Sequence, residues 1–306
     1  MNGKLKFGCH VLQWGIAIDE NRRSTWDGKI WEVSLPEALS QIAKLGFESF
    51  DCSDQDMLIY LSKDKDLKKI INDSGLELSS AWTTILPKKL AETDKVAINP
   101  NLPMTDHSQF TKLFINEITA DNLKEYFDQE IEVVEKFVSL GEHVFTIGGP
   151  FMDRKDVHDK HYMFMGEALN DFGERCKKLG IRIAYHHHIA TLLERSEDFD
   201  MLYDYADKNL VGLLFDTAHI SAVGIDPFQF IRKYSDRIFH VHLKDIREGK
   251  FVELGEGELD LFEIIKKLKN ISYSDWMVVE LDIPTYPAFR SGEISISYLN
   301  KVREMI

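Results

Sequence analysis

The stretch Ile181–His188, IRIAYHHH, decides how this chain is read. It is a short apolar run that ends abruptly in histidines. Leu213–His219 (LLFDTAH), Ile238–Asp245 (IFHVHLKD) and Trp276–Asp282 (WMVVELD) repeat the form downstream. Runs of this length between helical patterns read as strands buried on both faces. Each ends in His, Asp or Glu, so potential metal ligands fall at the C-terminal ends of successive buried strands.

Outward from this stretch the chain keeps one rhythm, strand then helix. Earlier strands are expected at Lys4–His10, Ser49–Ser53, Leu76–Thr84 and His143–Gly149. Helices are expected over Leu35–Gly46, Met57–Gly75, Asn122–Gly141, Tyr162–Gly180, Glu197–Lys208, Pro227–Asp236, Leu261–Lys269 and Ile294–Ile306. Several end on Gly just before the next strand, as helix stops do. Eight such units call for a parallel sheet, and eight strands close a barrel. The expected fold is therefore α/β, a (β/α)8 TIM barrel, as a single domain over residues 1–306. The rival, a doubly wound open sheet binding a dinucleotide, needs G-x-G-x-x-G after its first strand, and the sequence has neither that nor a Walker loop. Residues 87–109 form the one irregular insertion. They follow the C-terminal end of the third strand, where a long loop is expected to act as a lid over the barrel mouth.

With 37 Lys and Arg against 51 Asp and Glu, the net charge of −14 excludes the basic groove that a nucleic acid or an anionic membrane needs. No apolar run reaches the roughly 18 residues that span a bilayer. The lysines before the first apolar stretch resemble a signal peptide, but His10 and Gln13 interrupt it, and it is read as the first strand. Cys9, Cys52 and Cys176 are odd in number and widely spaced, which suits core thiols in a reducing, cytoplasmic setting. The expected partner is a small-molecule polyol or ketose, and a homo-oligomer is compatible with the sequence.

Side chains alternate along a strand between the barrel interior and the helix layer. That parity puts His186, Asp216, His242 and Glu280 together on the inward face. A single His or Asp at a strand end more often caps a helix or bonds a loop than binds a metal, but four at equivalent positions on four consecutive strands point to a cation. Two carboxylates about 4 Å apart repel by about 4 kcal/mol at an effective dielectric near 20, and a dication between them reverses the sign. Imidazole mixed with carboxylate suits manganese or cobalt, with zinc or iron as further choices, better than calcium. The outward His187 is expected to be structural. His188 shares the inward parity of His186, which leaves either one as the ligand. His219 follows Asp216 closely enough to support the metal or touch substrate. Lys244 lies inward on the seventh strand, with an ion-pair role as the plain alternative, and His10 is undecided. Trp14 and Trp82 are candidates for stacking on substrate.

These motifs resemble a known family. The D-T-x-H of Asp216–His219, HVHLKD at His240–Asp245, LGEGELD at Leu254–Asp260 and the Glu of VVELD are similar to the xylose-isomerase-like barrels of the sugar phosphate isomerase/epimerase superfamily. The resemblance is clearest over Ile181–Asp282. It implies a divalent metal held by a Glu of the fifth strand, the Asp of D-x-x-H, a seventh-strand His and the eighth-strand Glu. Asp216, His242 and Glu280 match; the first position carries His186 instead. The YHHH run followed by Ala190-Thr191, with HLKDIR at His242–Arg247, is similar to the inosose dehydratase branch.

Epimerases of this kind use two facing metal-bound glutamates, and one of them is missing here. Loss of water from a keto-sugar or keto-cyclitol is therefore the expected reaction. Glu280, His188 or His219 would take the proton next to the carbonyl, a protonated His or Lys244 would help hydroxide leave, and Arg247 would orient substrate. The alternatives are an isomerase or epimerase of the same superfamily and a sugar-binding barrel without turnover. The abasic-site endonuclease branch is disfavoured by the acidic charge.

Overall fold

Eight parallel strands close into a barrel in strict chain order: β1 (Lys6–His10), β2 (Ser49–Ser53), β3 (Glu77–Thr84), β4 (Val144–Gly148), β5 (Arg182–His186), β6 (Val211–Asp216), β7 (Ile238–Leu243) and β8 (Trp276–Val279). β1 pairs with both β2 and β8, which completes the ring. The computed structural model describes residues 4–63, 66–85, 99–115, 117–141 and 143–306. Local signals act as the sequence implies. The helix Leu35–Leu45 starts on a capping box between Ser34 and Glu37 and stops at Gly46, whose φ of 91° only glycine adopts without strain. Apolar residues of the outer strand faces pack against the helices in one main core that also holds Cys9, Cys52 and Cys176.

The barrel floor is plugged by Val144, Ala184 and Leu214 with Phe239 against them. The β6–β7 register shifts between Ile238 and His240, and a Cβ on Gly212 would lie 2.1 Å from the Phe239 ring, so glycine makes room for the plug. The plug leaves the upper half of the interior for polar residues. Above the mouth lies a second apolar cluster, in which Met104, Phe110, Phe151, Ile189, Phe251 and Leu281 meet from several loops.

Two expectations need correcting. Residues 57–75 are not one helix: Asp54–Leu61 ends at Ser62, and Asp66 caps a new helix, Leu67–Ser74, by accepting from Lys69 N. The last helix begins at Ala288, not Ile294. Residues 16–32, for which the sequence raised no expectation, form an antiparallel ribbon of Ile16–Ala17, Arg22–Ser24 and Ile30–Glu32. Its strands are too short and too polar to show alternation. Arg23, buried, anchors it by donating to Gly15 O at 2.8 Å and to Asp56 Oδ1 at 2.8 Å. Of the insertion at 87–109, residues 87–98 lie outside the described residues. From 99 onward it docks on the mouth loops, Met104 N donating to Gly249 O at 3.0 Å, and the 3-10 turn His107–Leu113 sets Phe110 edge-on to His188.

Candidate active site

The strand ends deliver what parity implies. Asp216 closes β6 and N-caps the short helix Thr217–Ala222, its Oδ1 accepting from Ala218 N and His219 N at 3.0 Å each. Oδ2 is left facing the barrel axis: His242 Nδ1 lies 3.9 Å from it and 3.9 Å from Glu280 Oε2. His186 on β5, Asp216 and His242 bring one ligand-type atom each within 4.8 Å of one another. His186 Nδ1 and His242 Nδ1 are buried and without a hydrogen-bond partner, while Asp216 Oδ2 and Glu280 Oε2, equally buried, face the Lys244 ammonium. Burial and neighbouring positive groups hold the His186 imidazole well below its usual range. Burial likewise lowers His242, even though Asp51 works in the other direction. Both shifts favour the neutral ring, whose lone pair metal ligation requires. This donor set fits a divalent transition ion.

Lys244 sits beside this group. Its ammonium is fully buried, 2.6 Å from Asp282 Oδ2, 3.4 Å from Asp216 Oδ2, in contact with Glu280 Oε2 and 3.2 Å from His219 Nε2. It also lies 4.6 Å above the Phe251 ring. Desolvation disfavours the charge, but Asp216, Asp282 and Glu280 outweigh it and hold the Lys244 pKa above its usual value. The Glu280 carboxyl is pushed up by burial and by Asp282.

His188 takes a different place from His186. Its Nδ1 meets Ile189 O at 2.7 Å, so Nδ1 carries the proton and Nε2 is left open, 3.8 Å from Asp282 Oδ1. The ring packs tilted against His219, at 3.9 Å between centroids, and lines the cavity together with Asp282. His219 itself is buried against Phe251 and is not on the cavity wall. His187 points outward between Phe199 and Phe230, and its Nε2 accepts from Asp216 N at 3.2 Å. It supports Asp216 from behind.

The cavity encloses about 550 Å³ of space free of protein atoms, open mouth included, bounded by His10, Trp26, Trp82, Phe151 and the centre itself. Trp82 is on its wall, with a buried and unpartnered indole N–H. Trp14 is not, which corrects the stacking expectation. β1 ends at His10, strand parity ends with it, and the 3-10 turn Val11–Trp14 carries the indole into the helix layer, where Nε1 donates to Gln41 at 2.8 Å. Arg247 is likewise misplaced: it is exposed on a two-stranded ribbon, and Nη1 donates to Glu256 O at 2.8 Å. The LGEGELD motif is structural. Gly255 N, Gly257 N and Leu259 N wrap the buried Asp245 carboxylate at 3.0, 3.0 and 3.1 Å.

Sequence reasoning missed Asp51, Trp26 and the weight of Asp282. Asp51 in β2 accepts from His240 Nε2 at 2.7 Å and His242 Nε2 at 3.1 Å through Oδ2, and from Ser79 Oγ at 2.7 Å through Oδ1. Burial opposes its ionisation, but His240 and His242 outweigh burial and hold the carboxyl well below the usual carboxylate range. The one sequence signal is a lone Asp at inward parity in SFDCS. Trp26, on the ribbon, leaves none.

A closed parallel barrel with histidines and carboxylates gathered at the C-terminal ends of its strands defines a class of α/β barrel enzymes. The chain belongs to the xylose isomerase-like TIM barrel family, whose model matches residues 39–301. It is 29% identical over 303 residues to inosose dehydratase of Clostridium perfringens, covering 92% of this chain and 91% of that one. To inosose dehydratase of Geobacillus thermodenitrificans it is 27% identical over 275 residues, covering 82% and 83%. Among solved structures it resembles the IolI protein with a bound zinc atom, with a TM-score of 0.70 at 16% identity over 98% and 99% of the two chains. It also resembles a probable 3-DHS dehydratase of Bacillus anthracis, with a TM-score of 0.68 at 13% identity over 97% and 99%.

Proposed function

We propose that this protein is a divalent-metal-dependent dehydratase that removes water from a keto-cyclitol of the inosose type. The observation that carries the reading is the convergence of buried ligand-type atoms of His186, Asp216 and His242 within 4.8 Å of one another, with Glu280 Oε2 3.9 Å from His242 Nδ1 and no hydrogen bond on the Nδ1 of either imidazole. These are the residues that would hold the metal. His186, not His188, is the β5 ligand, because the His188 Nδ1–H is engaged by Ile189 O and its Nε2 faces Asp282. The relatives named inosose dehydratase support the substrate class, since the match runs over nine-tenths of both chains. Manganese, cobalt, zinc and iron all suit the donor set. When bound, the cation supplies Lewis acidity to the substrate carbonyl and acidifies the neighbouring C–H.

His188 is the base. Its Nε2 holds the open lone pair, lines the cavity and has Asp282 beside it to stabilise the protonated ring. Elimination takes one proton from carbon, breaks the adjacent C–O bond and releases water, so a base that returns the proton to the departing hydroxyl balances the reaction. Lys244 is a fixed positive charge rather than a proton donor: three carboxylates surround it and it does not reach the cavity wall. His219 accepts from Lys244 and backs His188. The apolar cluster above the mouth, with Trp26 and Phe151, keeps bulk water from the reacting carbon. The described part of the insertion, residues 99–109, leads into Phe110, whose ring stands edge-on to His188, and this supports a lid role for that segment.

The test is turnover of inosose and related keto-polyols with added Mn²⁺, followed by product mass. Loss of one water supports dehydration; a product of unchanged mass makes the protein an epimerase or isomerase.

A further inference from the structure

An imidazole can present a lone pair to a metal from only one nitrogen, and the hydrogen bond made by the other nitrogen decides which. In His242 the nitrogen turned toward Asp216 and Glu280 is Nδ1, at 3.9 Å from each carboxylate. The opposite nitrogen, Nε2, is 3.1 Å from Asp51 Oδ2. A carboxylate oxygen only accepts, so this contact requires the proton on Nε2 and leaves the lone pair on Nδ1. Asp51 is itself held firmly. It is buried to 1% exposure, Ser79 Oγ donates to its Oδ1 at 2.7 Å, and the His240 ring, standing nearly perpendicular to His242, donates to Oδ2 at 2.7 Å. All its partners are donors.

We propose that Asp51, anchored by Ser79 and His240, is the positioning residue that locks His242 in its Nε2–H tautomer and so aims Nδ1 at the metal. The inference rests on the metal-centre reading above, but it concerns a residue outside the ligand set, on a different strand. Asp51 is not on the cavity wall and is not among the four residues read as ligands. It acts through the ring it orients, and its partners reach it from β3 and β7, so three strands share in setting the geometry of one ligand.

The tautomer is read directly in the metal-free, chelator-treated wild-type protein labelled with ¹⁵N-histidine, with His242 assigned by its absence in His242→Gln. A pyrrole-like Nε2 and a pyridine-like Nδ1 are expected; the reverse pattern overturns the proposal whatever the variants do. Titration with Mn²⁺ alone then measures affinity. Asp51→Ala is expected to lose about tenfold to a hundredfold, whereas Asp51→Asn, which keeps an acceptor oxygen, recovers most of it. Wild-type affinity in a folded Asp51→Ala protein overturns the proposal. Wild-type protein that takes up no Mn²⁺ overturns the metal-centre reading itself, and the tautomer, read without metal, still decides whether Asp51 acts on the ring.

Discussion

At the scale of single residues, Asp216 shows why a strand-end carboxylate is hard to read from sequence. The ordinary role, helix cap, is filled by Oδ1, while Oδ2 of the same side chain faces inward as the proposed ligand atom. This makes Asp216→Asn a sharper test than Ala, since Asn caps as well as Asp and Ala loses about 1 kcal/mol at such a position. The Asn variant is expected to fold, by circular dichroism, yet to retain no metal on elemental analysis; a full complement of metal would remove Asp216 from the ligand set. His188→Gln is expected to keep its metal while kcat falls about 10²- to 10⁴-fold. Metal loss there would exchange the roles given to His186 and His188. The inward placement of His186, Asp216 and His242 was legible because alternation within a strand is a rigid rule, and Glu280, the first residue after β8, still keeps that parity. Trp14 and Arg247 were misread because each lies just past a strand end, where the rule stops. Asp51 escaped because its importance comes from partners 189 and 191 residues away.

At the scale of elements, strands and helices announced themselves through periodicity and caps, while the ribbon at residues 16–32 did not. What holds that ribbon is a buried ion pair, Arg23–Asp56, with both side chains almost wholly shielded from solvent. Removing one partner of such a pair costs about 3–5 kcal/mol, so Asp56→Ala is expected to lower the melting temperature and, by loosening Trp26, to raise KM. Unchanged melting would show that the ribbon does not depend on this anchor. The helix Ala120–Phe137 carries a different device. Its Glu130, buried against Asp54, has an unpartnered Oε2, and burial followed by the Asp54 charge pushes its carboxyl from 4.5 up to about 8. Burial also pushes Asp54 up to about 6. A pKa raised in the folded state means that the folded protein binds the proton more tightly. Stability is therefore greatest below about pH 4.5 as far as Glu130 is concerned, and is lost as pH rises toward 8. Glu130→Gln is expected to remove this slope and stabilise the protein at pH 8 by on the order of 2–4 kcal/mol. Denaturant melts at pH 5 and pH 8 check it: a variant with the wild-type pH slope would contradict the assignment.

At the scale of the whole molecule, eight repeats of one unit made the barrel legible, because strand number and order leave few ways to close a parallel sheet. The roof over the mouth was not legible. It is assembled from residues as far apart as Met104, Phe151, Phe251 and Leu281, and only closure of the barrel makes them neighbours. Floor plug, polar middle and apolar roof together leave a chamber lined by His186, His242, Glu280 and His188, the proposed ligands and the proposed base. The measurement that tests this account most directly is product mass from inosose incubated with the chelator-treated protein, with and without Mn²⁺. The account predicts a product lighter by one water that forms only when the metal is restored. A product of unchanged mass, or turnover indifferent to the metal, would contradict it.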